Sequence, residues 1–193
     1  MTATPTTQTR TPDRFSPLDL QSRSLPIKLA AIFLGSLFLA TSSYIEVPMI
    51  PVPVTLQTYA IMLVGALYGW KLGGLTVLTW LIEGAAGLPV LAGGASGVQH
   101  FLGATGGYLF AFPMSAMLVG WLAERGWNGH RPFRAFAAML LGTVLCLSLG
   151  AAWLSTLIGV QKAVTAGVLP FLIGAVLKSA FGAATLRLMQ ATR

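Results

Sequence analysis

Between residues 29 and 124 the chain carries only four charged side chains, Glu46, Lys71, Glu83 and Glu124, and apolar runs fill the space between them. A soluble domain carries about 25% charged residues. This chain carries 9%, with 55% hydrophobic residues and a mean hydropathy of +0.76. Such a sequence suits hydrocarbon, where a backbone that satisfies its own hydrogen bonds, as a helix does, is required. The runs are 25–45, 56–70, 72–91, 101–123, 135–160 and 166–189. All except the short second run approach the ~20 residues of a helical span. The fold class expected is therefore all-α integral membrane, with six transmembrane helices in a single domain over residues 25–190. Residues 1–24, rich in Thr and Pro with Arg10, Arg14 and Arg23, are expected to form a disordered polar tail.

The net charge of +7 does not point to nucleic acid, because the basic residues sit in short gaps between runs without interleaved aromatics. They are instead distributed by side of the membrane. With six crossings and a cytoplasmic N-terminus, ten basic residues fall inside and Lys162 alone outside. That bias predicts a multi-pass protein of the cytoplasmic membrane with both termini cytoplasmic. The single Cys146 gives no disulfide framework, and no metal ligand set or cofactor motif is present. It reads as a small apolar filler.

Two segments interrupt the pattern on the outer side. "VPMIPVPVTLQTY" (47–59) holds Pro48, Pro51 and Pro53, which lack the backbone N–H and keep their neighbours extended. This stretch can be neither helix nor central strand. "GLPVLAGGASGVQHFLGATGG" (87–107) is glycine-rich and permits tight turns and close backbone approach to a ligand. Two such structured outer loops suggest the walls and lid of an outward-facing pocket.

Polar residues near these loops are the site candidates. Lys178 lies mid-run, where an ammonium costs at least ~2.5–3.5 kcal/mol on insertion scales. It either meets a ligand in the space left by small neighbours, snorkels, or pairs with Glu83. Glu83 has three roles open to it: pairing with Lys178, binding a ligand donor, or reaching outer water. Thr55 is a good N-cap for the second run, and Gln57 offers a donor and an acceptor at the pocket mouth. Tyr108 and Trp80 either stack on an apolar ligand or belong to the interfacial aromatic belt.

Enzyme motifs are missing. "GASGV" (94–98) lacks the closing glycine of a nucleophile elbow, and no glycine-rich run ends in Gly-Lys-Ser/Thr. An intramembrane enzyme would have only Glu83 and Lys178 to work with. Uphill transport therefore needs a partner or an ion gradient. In the first run Ala31-x-x-x-Gly35 and Ser36-x-x-x-Ala40 place small residues one turn apart, a pattern that permits close helix approach and offers a partner-docking face.

The motifs "VPVTLQT" (52–58), "GAAGLPVLAGGASG" (84–97) and "GATGGY" (103–108), followed by a lysine in the last run, resemble the BioY family. These are the biotin-binding substrate-capture (S) components of energy-coupling factor transporters. The resemblance implies the S-component fold, biotin as transported ligand captured from the outer side with high affinity, and no catalysis. It implies docking on a transmembrane coupling subunit and an ATPase pair, partly through small residues of the first helix. Matched by position, Lys178 becomes a ligand contact, Thr55 and Gln57 the base of a gating loop, and Tyr108 a pocket wall. The sequence departs from the family pattern at Ala175, where an aspartate is usual, and at Ala104, Trp80 and Leu91. The absent aspartate keeps open a different small vitamin or carboxylic acid as ligand, and the sequence leaves a second alternative, a biotin carrier working without the energising module.

Overall fold

The computed structural model describes residues 18 and 20–191. The expected tail therefore lies outside the described residues over 1–17 and at 19. At its end, Leu20–Ser22 form a 3-10 turn that buries Leu20 against Ala31 and Leu72.

The apolar runs become helices, and their breaks fall where glycine, proline or polar clusters interrupt them. Helix α1 (Leu25–Ser43) starts with Pro26 in its first turn, where the missing N–H costs nothing. A two-stranded ribbon follows, β1 (Glu46–Val47) antiparallel to β2 (Val54–Thr55), pairing Glu46 with Thr55 and Val47 with Val54. It pinches off the proline loop, whose Ile50–Pro51 bond is cis. Helix α2 (Gln57–Ala85) carries one non-helical residue, Gly69, at φ +79° and ψ 172°. A Cβ on Gly73 would stand 2.9 Å from the Cα of Gly65. In a straight helix those residues would be about 12 Å apart. The chain thus reverses at Gly69, and α2 is two antiparallel arms, 57–68 and 70–85, which are the expected second and third spans. Only a residue tolerating positive φ permits so short a turn.

After a loop containing a 3-10 turn (Ala92–Gly94) come α3 (Gln99–Leu102), α4 (Gly106–Glu124), α5 (Pro132–Ile158), α6 (Val160–Gly167) and α7 (Leu169–Ala191). The expected run 101–123 is broken between α3 and α4, which moves its first residues out of the span. Gly159, at φ +85°, turns α6 back along α5. Close approaches of Gly167 to Leu154, Gly182 to Met139 and Gly129 to Leu186 show α5 antiparallel to α6 and α7. Among the described residues, five helical stretches are long and apolar enough to cross a membrane; because α2 is folded on itself, they carry the six expected spans.

Helices α2 and α4 form the centre, burying Trp80, Ile61, Met62, Val77 and Val119. Helices α1 and α7 are peripheral and display Phe33, Leu34, Leu37, Ile173, Leu177 and Phe181 outward. Outward apolar faces are what lipid solvates, so this is a membrane bundle. At the end of the bundle holding the Gly69 turn, Glu124 Oε1 accepts from the Trp70 backbone N–H (3.2 Å) and from Gln21 Nε2 (2.8 Å). A carboxylate there satisfies an orphan donor at the start of the second arm.

Candidate functional site

At the other end the helices spread around a cavity of about 710 Å³, within the ~300–1,000 Å³ typical of small-molecule pockets. The proline loop, from Pro48 to Pro53, covers it, and Leu91, Ala92 and Ala95 of the glycine-rich segment form a second wall. Tyr108, Leu109 and Phe112 of α4, Cys146 and Leu147 of α5, and Phe171 of α7 make it largely apolar. The rings of Tyr108 and Phe171 stack, centroids 6.3 Å apart. Tyr108 is also fixed by its hydroxyl, which donates to the Gly167 carbonyl at 2.7 Å.

The polar end of the cavity is the start of α2. Proline restricts the backbone before it, and the chain enters the helix at Thr55-Leu56-Gln57. Lys178 Nζ reaches across from α7, donating to the Thr55 carbonyl and to Thr58 Oγ1 (3.2 Å). Thr55 Oγ1 donates to Gln57 Oε1 at 2.9 Å and accepts from the Gln57 backbone N–H at 3.3 Å. Gln57 is 4% exposed, and its Nε2 is buried with no partner among the described residues. An ammonium that meets only uncharged oxygens among the described residues, beside a spare amide donor, is an arrangement that accepts an anionic oxygen.

The structure thus brings Lys178, Thr55, Gln57 and Tyr108 together on one cavity. It separates the other two candidates from it. Glu83 is not on the cavity and does not pair with Lys178; its Oε2 accepts from Ser36 Oγ of α1. Trp80 is fully buried behind the wall, packing on Phe112 (centroids 6.1 Å apart) and donating from Nε1 to the Val90 carbonyl at 2.9 Å. It therefore neither stacks on a ligand nor belongs to an interfacial belt. With Ser43 Oγ on the same carbonyl (2.7 Å) and the Tyr44 hydroxyl on Pro89 (2.6 Å), it holds the glycine-rich wall in place. Thr55 is not the N-cap either. Leu56 takes that position, and the Thr55 hydroxyl makes a local turn instead.

The docking face expected on the first helix is also corrected. Ala31, Ser36 and Ala40 are buried, and a Cβ on Gly35 would stand 2.7 Å from Thr76 Cγ2 and 3.0 Å from the Tyr68 ring. The small residues let α1 approach α2 inside the protein; the face turned outward is Leu29, Phe33, Leu34 and Leu37.

Sequence reasoning missed Glu46, His100, Thr105 and Cys146 as cavity residues. Cys146, read as filler, does pack tightly at 1% exposure, yet its side chain borders the cavity. For Glu46 the sequence showed only an acid two residues before Pro48, at the edge of the proline segment. Nothing in spacing alone distinguished it from an ordinary loop carboxylate.

The family model described as the BioY family matches residues 13–193. The probable biotin transporter BioY of Pyrococcus horikoshii is 38% identical over 157 residues, 80% of this chain and 92% of the relative. BioY2 of Lactococcus lactis, a biotin transporter, is 34% identical over 85% of this chain and 92% of its own length. The biotin transporter BioY of Thermotoga maritima is 36% identical over 69% of this chain and 78% of its own. Among solved structures, the S-component for biotin from an ECF-type ABC transporter superposes with a TM-score of 0.77 at 27% identity. That match covers 88% of this chain and 95% of the other.

Proposed function

The chain belongs to the BioY family, and from that premise we propose that it captures biotin for uptake, as the substrate-binding subunit of an energy-coupling factor transporter. It is a multi-pass membrane protein and not an enzyme. The observation that carries the biotin reading is the cavity itself, apolar walls with one cation and one spare amide donor at its polar end. Biotin has a thioether ring for the walls of Tyr108, Phe112 and Phe171, and a carboxylate for Lys178 and Gln57. The cavity is large enough for the whole molecule, and the cis-proline loop covers it.

The loop charges support a cytoplasmic location for both termini, which puts the cavity on the outer side. The partners that this reading requires are a coupling subunit and an ATPase pair, because the chain has no nucleotide-binding loop of its own. Their contact does not lie on Ala31, Gly35, Ser36 and Ala40, which the fold uses internally.

The test is binding of labelled biotin to the purified protein, with unlabelled biotin and other vitamin carboxylates as competitors. Displacement by biotin alone is expected. Equal displacement by a different vitamin acid would replace biotin as the ligand while leaving the capture role.

A further inference from the structure

Resting on the biotin reading, we propose that Glu46 is the acceptor for a ureido N–H of the ligand, and that it fixes which end of the molecule faces the loops. Among the described residues, Glu46 is the only carboxylate lining the cavity. Its direction follows from register. Glu46 lies directly opposite Thr55 in the ribbon, and opposite residues put their side chains on the same face. The Thr55 side chain is buried at the polar end of the cavity, so that face is the cavity face. The carboxylate also lies against the second wall, since a Cβ on Gly93 would stand 2.6 Å from Glu46 Oε1.

An inventory of donors and acceptors then assigns the ends. Biotin presents acceptors at its carboxylate and ureido carbonyl, and donors only at the two ureido N–H groups. On the cavity, Lys178 and Gln57 Nε2 are donors at the start of α2, and the His100 imidazole, which can donate or accept, also lines it. The neutral side-chain oxygens there are weaker partners for an N–H. Thr55 Oγ1 and Gln57 Oε1 bond each other, and Thr58 Oγ1 accepts from Lys178. Thr105 Oγ1, which donates to the His100 carbonyl at 3.0 Å, keeps only uncharged lone pairs. Among the described residues, no side chain pairs with the Glu46 carboxylate, which keeps its acceptor capacity for a ligand. A ligand N–H left unpaired in so apolar a cavity would forfeit its hydration. Glu46, whose carboxylate turns to the glycine-rich wall beside Gly93, removes that penalty there while Lys178 meets the ligand carboxylate at the start of α2. The ureido ring therefore sits beneath the proline and glycine-rich loops.

Isothermal titration of the full chain in detergent with biotin and with biotin methyl ester tests this. E46A is expected to weaken biotin roughly ten- to a hundredfold, the range for losing a charge-assisted hydrogen bond, and to weaken the ester by the same factor. E46Q, which keeps a neutral acceptor, is expected to lose several-fold. Lys178→Met should weaken biotin much more than the ester, whose carbonyl is only a neutral acceptor. Wild-type affinity in E46A or in folded E46Q overturns the assignment, the latter even where E46A does not fold. A loss in E46A that disappears with the ester overturns it too, since Glu46 would then act at the valeryl end. A wild-type protein that binds no biotin overturns the proposed function first, and this assignment with it.

Discussion

Lys178 and Glu83 each place one charge inside an apolar run, and the two are built in opposite ways. Lys178 faces the cavity, held by a backbone carbonyl and a threonine hydroxyl, with no carboxylate against it among the described residues. Glu83 faces α1, where Ser36 donates to it, and it touches no part of the cavity lining. Both carry a desolvation cost in principle. One leaves capacity for a further partner in an open space, and the other spends it on a neighbouring helix. A charge in a membrane span is a binding residue only where its tertiary neighbours leave it both reach and room.

The sharpest test of this contrast is Lys178→Met, which keeps length and apolar bulk. Biotin affinity should fall by roughly ten- to a hundredfold, the equivalent of about 1.5–3 kcal/mol for a charge-assisted hydrogen bond. Equilibrium binding reads this directly, and a normal Kd would make Lys178 a structural cation like its counterpart. On the other side, Gly35→Leu forces a side chain into Thr76 and the Tyr68 ring. It should cost about 1–3 kcal/mol of stability by overpacking, seen as a lower melting temperature of the purified subunit. Unchanged stability with lost complex formation would restore Gly35 to a docking face.

Smaller effects refine the same comparison. Gln57→Leu removes the spare donor beside Lys178 and should weaken biotin about tenfold, the low end of the range of about 1.5–3 kcal/mol for a hydrogen bond to a charged group. It should also free the Thr55 hydroxyl from its partner. Last, Glu83→Gln should leave biotin affinity within about twofold, since Glu83 meets Ser36 and not the ligand. A large loss of affinity in Glu83→Gln would dissolve the distinction between the two charges.

Much of this was legible in advance. Apolar runs with few charges give helices for a physical reason that needs no tertiary information: in hydrocarbon each backbone group must pair within its own segment. The proline segment announced a break, and the lysine announced a cost that something must offset. The site was less legible. Lys178, Thr55, Gln57 and Tyr108 converge, but Glu83 and Trp80 look equally suitable in one dimension and point elsewhere. Glu46 was invisible because its direction depends on ribbon register with Thr55, a pairing across the proline loop.

The small residues of α1 make the same point. The spacing of Ala31, Gly35, Ser36 and Ala40 determined that some helix would approach closely there. Which helix it would be was not in the spacing, because a smooth surface fits an internal neighbour as well as an external one. The sequence by itself determined a helical membrane bundle, the positions of its breaks, and a single mid-span cation. Tertiary structure decided that Gly69 folds one helix into two spans and that α1 packs its smooth side against Thr76 and Tyr68. It also decided that the start of α2 meets Lys178 at the polar end of the cavity. Solvation acts on each segment separately and can be read along the chain, whereas the direction of a side chain is set by packing among segments distant in sequence.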